Sequence, residues 1–248
     1  MFALALTKKG IAVISKPTVQ NHLLNAIPDE DFLALHDHLE PLDLPKTFSL
    51  VKTGEPIDHV YFLESGIGSI VYRTPEGQSA ETGIFGREGF APTTAAAGID
   101  RSPCDVFMQV GGSGFRIESQ LFRAVIEHSP AIRRIVLLYT YLLSVQTAYT
   151  ALSNAVHHVD ERLARWLLMC HDRWDGDEMP ITHEFVSTML AVRRPSVTTA
   201  LHVLEGNQLI RSERGLVIIR DRAALQEFAA DAYGAPEAEY RRLLGAVG

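Results

Sequence analysis

Eight residues in the C-terminal third of the chain have side chains suited to gripping a nucleic acid. Arg193, Arg194, Pro195, Ser196, Thr198, Thr199 and His202 are almost contiguous, and Arg214 follows after a short gap. A guanidinium can bond guanine O6 and N7 together, while Ser and Thr hydroxyls suit phosphates or base edges. Such contacts carry sequence information only if a rigid element narrow enough for the DNA major groove holds them, and an α-helix is one.

The surrounding residues supply that element. Ile181 to Ile210 reads as two short helices joined by a tight turn. Thr182 can cap the first helix, with Phe185, Val186 and Met189 inward. Leu190-Ala191-Val192 is the turn, where a small residue lets the helices cross closely. Pro195 suits the first turn of the second helix, where a missing N–H costs nothing. Val197, Leu201 and Leu204, spaced four and three apart, form its buried face. Arg194, Ser196, Thr198, Thr199 and His202 are left outside. Beyond it, Arg211-Ser212-Glu213-Arg214-Gly215 reads as a turn and Leu216 to Ile219 as a strand, which makes a β-hairpin wing.

Charge agrees with this placement. The chain has 248 residues and a formal net charge of −7, so it cannot coat a nucleic acid with its whole surface. Between Ile181 and Arg222, however, six arginines face four acids, and the local sign reverses. The alternative for this hairpin is a protein-binding surface, but the turn, the wing and the basic placement all favour DNA.

The rest of the chain must hold this reader. Residues about 20 to 41 contain a helix opened by Pro28 and the acids Asp29 to Asp31, with Phe32, Leu33, Leu35 and Leu39 at helical spacing, and stopped by Pro41. From Leu42 to Arg116, short β-branched and aromatic segments alternate with Gly/Pro/Asp turns. The expected strands are Thr47–Val51, His59–Glu64, Ser69–Arg73, Ser79–Phe85, Val106–Val110 and Gly114–Ile117, which indicates an antiparallel sandwich or barrel. Gly86 to Ser102 interrupts them with a short Ala-rich helix or loop. Glu118 to Glu127 reads as an amphipathic helix. Ser129-Pro130 then opens the longest periodic segment. Ile132, Ile135, Tyr139, Leu142, Gln146, Tyr149, Ser153 and Val156 make a heptad seam, and Val136, Leu138, Leu143, Val145 and Leu152 lie off it. A helix apolar on two faces must bury both. Either one face covers the β region while the other meets a second copy, or the whole helix lies in one core. Another amphipathic helix starts at Val159, a last one spans about Arg222 to Ala232, and Gly234 to Gly248 contains a further possible helix.

With these residues in view, the chain resembles the CRP/FNR superfamily of bacterial transcription regulators over about residues 20 to 230. The most specific part runs from Thr182-His183-Glu184 through Arg193-Arg194-Pro195-Ser196-Val197-Thr198 to Leu204-Glu205-Gly206-Asn207-Gln208-Leu209-Ile210. The resemblance implies an α+β fold: an N-terminal antiparallel β-roll of the cyclic-nucleotide-binding type, a long dimerisation helix, then a C-terminal winged helix-turn-helix. The implied division is an N-terminal extension (1–19), a β-roll sensor (20–128), the dimerisation helix (129–157), a DNA-binding domain (158–233) and a tail (234–248), with a hinge at about Val156 to Asp160. It also implies a cytoplasmic homodimer on a palindromic double-stranded DNA operator, with RNA polymerase as a further partner. Arg194, Pro195 and Thr199 would then occupy base-reading positions, and Arg193 and Ser196 phosphate-side positions. The family often has an acid where Pro195 stands and a basic residue where Thr199 stands, so the operator preference should differ.

The resemblance also suggests an effector cassette, carried here by Glu88, Gly89, Arg101 and Ser102. The cassette is incomplete, because Gly86-Arg87-Glu88-Gly89 breaks the usual Gly-Glu order and Pro103 stands where a small residue is usual. No cofactor or metal is expected. Cys104 and Cys170 are isolated, His36 and His38 lie two apart on a helix and point away from each other, and His59, His128, His157 and His158 match no axial haem motif. Neither a Ser/His/Asp set, a carboxylate pair nor a P-loop stands out. A cupin-like metal site would need more than the one histidine among Gly54, His59 and Glu64, so an enzyme is not expected. The opening MFALALTKKG places its charge after a short apolar run, unlike a signal peptide, and no run approaches the roughly 20 apolar residues of a membrane span. The competing function is a small-molecule-binding sensor module with a degenerate DNA-binding domain.

Overall fold

The computed structural model describes residues 4–6, 12–14 and 18–245. The fold is α+β, with antiparallel sheets in the N-terminal half and helices around a small sheet in the C-terminal half. Within the expected N-terminal extension, β1 (Leu4–Leu6) pairs antiparallel with β2 (Ala12–Ile14).

Two helices occupy the stretch where one was expected, α1 (His22–Ala26) and α2 (Asp29–His36). Asn21 caps α1 through its side-chain oxygen, which accepts from Leu24 N. Pro28 separates the two helices because it has no N–H to continue α1. Asp29, Glu30 and Asp31 fill the first turn of α2, where carboxylates complement the helix dipole. Helix α2 stops at His36, before Leu39 and Pro41, because Glu40–Leu44 is already strand β3.

The β region is β3, β4 (Ser49–Val51), β5 (His59–Leu63), β6 (Ile67–Arg73), β7 (Ser79–Phe85), β8 (Phe90–Ala91), β9 (Asp105–Val110) and β10 (Gly112–Glu118). They form two four-stranded antiparallel sheets, ordered β3-β10-β5-β8 and β4-β9-β6-β7. All six expected strands are present. β3 and β8 are additions, and β3 (Glu-Pro-Leu-Asp-Leu) has little strand composition. It sits at a sheet edge, where a proline is tolerated. The Ala-rich interruption is a 3-10 helix, Thr93–Ala97, closed by Gly98 in the left-handed conformation.

Next come α3 (Ser119–His128), α4 (Pro130–Val156) and α5 (Val159–His171). The Ser129 hydroxyl accepts from Ile132 N and Pro130 fills the first position of α4. Most of the named heptad seam turns inward. Ile132, Ile135, Tyr139, Leu142, Gln146 and Ser153 are buried within the protomer. Gln146 explains the polar residue in that seam, since its oxygen accepts from Ile84 N at 2.8 Å and its amide donates to Ile84 O at 3.2 Å. It thus satisfies the free edge of β7. The solvent-facing apolar residues are Leu137, Tyr141 and Leu152, off that seam, and Val156 at its end, with Leu137 59% and Val156 63% exposed.

Among the described residues, α4 is long and apolar enough to cross a membrane by length and composition. Its apolar residues are interspersed with Thr, Ser and Gln rather than forming an unbroken run, so a search for such runs passes over it. The helix packs one face on the β sheets and on α3.

The C-terminal half contains β11 (Glu178–Met179), α6 (His183–Met189), α7 (Arg194–Gly206), β12 (Ile210–Glu213), β13 (Leu216–Ile219), α8 (Arg222–Ala229) and α9 (Ala235–Leu244). The small sheet is ordered β11-β13-β12. The wing turn is tighter than expected, because Arg211 to Glu213 belong to β12 and only Arg214-Gly215 remain at the tip. Two apolar cores result. One joins α1 and α2, much of both four-stranded sheets, α3, α4 and Tyr240 of α9. The other joins α5, the helix-turn-helix and the wing to Ile67, Val71, Ile84 and Val110 of the β sheets.

Candidate nucleic-acid interface

The two-helix unit is built as its residues dictate. The Thr182 hydroxyl accepts from Phe185 N at 3.2 Å and caps α6. Ala191 takes φ +51° in the turn, a left-handed conformation that a larger or β-branched side chain would resist. Arg162 of α5 donates to Leu190 O and braces that turn. Val197, Ala200, Leu201 and Leu204 anchor α7 in the second core. Val186 and Met189 are buried as expected, while Phe185 is only half-buried.

The exposed side of α7 gathers most of the sequence-derived candidates. Arg193, Arg194, Pro195, Thr199 and His202 are exposed, and Ser196 and Thr198 are half-buried. The Thr198 and Thr199 hydroxyls donate back to Arg194 O at 3.2 Å and Pro195 O at 3.1 Å. Their protons are thus spent inside the helix, and what they offer outward is an acceptor oxygen and a methyl group. A methyl suits the thymine C5-methyl, and an acceptor suits the amino groups of cytosine or adenine. Arg193 is the N-cap residue of α7 and Arg194 its first helical residue, so both guanidinium groups flank the positive end of the helix dipole, an arrangement that favours phosphate.

Arg214 lies at the wing tip beside Gly215 (φ +78°). A cleft of about 660 Å³ between α7 and the wing is lined by His202 and Arg214 together with Thr182, His183 and Glu205. His183 bonds the Ser212 hydroxyl at 3.1 Å, and Glu205 accepts from Ser212 N at 2.7 Å, which holds the wing to both helices. Sequence reasoning passed over His183 as a site residue, although its place directly after the cap Thr182 puts it at the mouth of the cleft.

The four effector candidates do not converge. Glu88 is buried and paired at 2.7 Å with Arg173, in the turn after α5, and its other oxygen accepts from Gly86 N at 3.0 Å. Gly89 lies under the Tyr139 ring, where a Cβ would come within 2.0 Å of the hydroxyl. Arg101 lies elsewhere, donating to Gly54 O at 2.9 Å and bridging to Pro56. The Ser102 hydroxyl is turned inward onto Cys104 O at 2.6 Å. The β7–β8 turn faces the helices, so Glu88 meets Arg173 rather than Arg101. The β-roll does contain a cavity of about 490 Å³ facing α4, lined among others by Tyr72, Thr82, Thr94, Thr140, Ser144 and Thr147. Its lining contains no charged side chain. The hydroxyls at 140, 144 and 147 share one face of α4, and that spacing was the available sequence signal.

Comparison with known proteins bears on this geometry. Residues 161–228 match the family model of the Crp-like helix-turn-helix domain. The solved structures similar to this chain share its architecture. One is TTHB099, a CRP-family transcriptional regulator from Thermus thermophilus, with 18% identity over 78% of this chain and 99% of that one, at a TM-score of 0.66. Residues 161–228 thus form a Crp-like helix-turn-helix domain. FixK2 from Bradyrhizobium japonicum aligns at 14% identity over 77% of this chain and 98% of its own, with a TM-score of 0.65. CLP, the c-di-GMP responsive global regulator of Xanthomonas campestris, aligns at 16% identity over 77% and 99%, with a TM-score of 0.63. At these identities the likeness is one of fold. No curated protein sequence matches the chain significantly. The matched segment spans α5 to α8, so the candidate DNA-reading residues lie inside the recognised domain.

Proposed function

We propose that this chain is a CRP/FNR-type, DNA-binding transcription regulator that reads a palindromic operator as a homodimer. The observation that carries the reading is the exposed face of α7, where Arg194, Pro195 and Thr199 project from the helix start while Val197, Leu201 and Leu204 anchor its back. In this reading Arg194, Pro195 and Thr199 meet base edges. Arg193, Ser196 and Thr198 hold the backbone, and Arg214 reaches phosphate from the wing, next to His202. Residues 20–128 form the sensor unit, 129–157 the dimerisation helix and 158–233 the DNA-binding unit. Leu137 and Leu152 of α4 meet their counterparts in the second copy, which supports half-sites about one helical turn apart. The uncharged β-roll cavity takes the place of the Glu88/Arg101 cassette as the sensing site. RNA polymerase is the further partner and the cytoplasm the compartment, in keeping with two buried free thiols. Catalysis plays no part in the reading.

The test is fluorescence anisotropy with fragments upstream of candidate target genes, titrated with salt. Affinity should depend on sequence, fall steeply with salt, and peak on a two-fold symmetric site. Equal affinity for all fragments would end this reading and favour a sensor module whose DNA domain is degenerate.

A further inference from the structure

A second cavity, of about 140 Å³, lies where the β7–β8 turn, α4, the turn after α5, and α9 meet. That is close to the size of an engineered cavity able to take one benzene ring. Its lining is polar, but most of the acceptors in it are already engaged. Glu88 is held by Arg173 and by Gly86 N. Asp172 accepts from Arg222 at 2.6 Å and from the Tyr233 hydroxyl at 2.7 Å. Gln146 has both ends on Ile84, and Glu237 caps α9 by accepting from Gly234 N at 3.0 Å.

The donors are in surplus. Tyr139 is 3% exposed, and its hydroxyl has no acceptor. Burial keeps that phenol protonated, well above its ordinary range, so it stands ready to donate. Arg173 uses its Nε on Glu88 and one terminal nitrogen on Met169 O, which leaves the other terminal nitrogen. Arg241 lines the opening and is exposed. A buried donor with no acceptor is costly and calls for an explanation. A guanidinium and a phenol that line one small space suit an oxyanion.

We propose that this interdomain cavity binds a small oxyanion, a carboxylate or phosphate of about six heavy atoms, with its oxygens on the Tyr139 hydroxyl, Arg173 and Arg241. Such a ligand touches the sensor unit, the dimerisation helix and the DNA-binding unit at once. It therefore ties their relative position to the concentration of a metabolite other than the one the β-roll cavity takes.

The experiment is calorimetry on the full chain with inorganic phosphate, propionate and, as the uncharged analogue, propionamide, at constant ionic strength. Phosphate or propionate should bind saturably at one per chain, with Kd on the order of 1 mM for so few atoms, and propionamide should not. Whichever of the two binds more tightly identifies the source of the oxyanion. Tyr139→Phe should weaken binding by about tenfold or more, and Arg241→Gln by a few-fold, with its part fading as salt rises. Arg241 is exposed, so R241Q carries the test if Y139F fails to fold. If neither oxyanion saturates below about 50 mM, the cavity holds solvent only and the proposal falls. It falls equally if propionamide binds as well, or if a folded Y139F binds unchanged.

Discussion

Trp166 and Glu81 join the two halves of the molecule through one hydrogen bond, the indole Nε1 of α5 donating to the Glu81 carboxyl of β7 at 2.7 Å. The other Glu81 oxygen lies 2.6 Å from the Ser69 hydroxyl, which in turn lies 2.9 Å from the Gln109 amide oxygen. Ser69 has a single proton to give. If Glu81 is ionised, one of those two acceptors goes without. If Glu81 is protonated, it donates to Ser69, Ser69 donates to Gln109, and the Gln109 amide donates to the Cys170 sulfur at 3.4 Å. Burial pushes the Glu81 carboxyl up to about 7.

The direction of the pH effect follows. A carboxyl whose folded pKa lies above its unfolded value holds more protons when folded. Stability from this group is therefore complete below pH of about 4.5, is lost as pH rises towards about 7, and stays level beyond. Thermal unfolding of the wild type should show that decline. Glu81→Gln, which donates to Ser69 at every pH, should flatten it and raise the midpoint at pH of about 8. An E81Q curve parallel to the wild type would show that Glu81 is not the titrating group.

Arginines at the two ends of the interface should fail differently. Arg194→Ala should cost about 1–3 kcal/mol on the best operator and relax the preference at one position. Arg214→Ala should weaken all sequences alike and lower the salt slope by about one. Anisotropy on the operator and on single-position variants separates these patterns, and identical behaviour of the two variants would contradict the assigned roles.

The exposed α4 residues give a test of assembly. Leu137→Glu with Leu152→Glu should leave the protomer fold intact, because both side chains face solvent. In a dimer they would bury carboxylates at the interface, and the dissociation constant should rise by about 100-fold or more. Analytical ultracentrifugation reads this directly, and an unchanged dimer would move the interface away from that face.

Gly89 is required by close approach rather than by backbone conformation. Gly89→Ala places a methyl against the Tyr139 hydroxyl and ring and should cost about 1–3 kcal/mol. Tyr139→Leu in the same chain should recover part of that cost, so the two changes should be non-additive in a denaturation cycle. Additive losses would mean that the Ala methyl is accommodated elsewhere.

Much of this was legible in the residues because local and global signals agreed. Thr182, Pro195 and the 197/201/204 spacing each fix one feature of the same hairpin, and the six β-rich segments fold as strands. The misses have physical causes. Glu40–Leu44 is a strand because β10 offers it an edge, which its own composition does not announce. Periodicity found a heptad on α4 but could not tell which of two apolar faces meets the sheets. Gln146, polar within that heptad, was the clue, because a buried amide needs partners and the free edge of β7 supplies them. Glu88 and Arg101 were grouped by sequence pattern alone. Their separation depends on which way the β7–β8 turn faces, and that is decided by Arg173, 85 residues further on.

Helix α9 lies against α4, with the Tyr240 hydroxyl donating to Glu88 O at 2.9 Å and Tyr141 donating to Glu239 at 3.2 Å. The winged unit is therefore moored at both ends of its own sequence, by the two residues His157-His158 that link α4 to α5 and again by α9 after α8. Between those ends it also rests on the sheets, through the second core and the Trp166–Glu81 bond. A displacement of the DNA-reading helix must therefore loosen the sheet contact as well as strain both ends, so neither half can move without the other registering it.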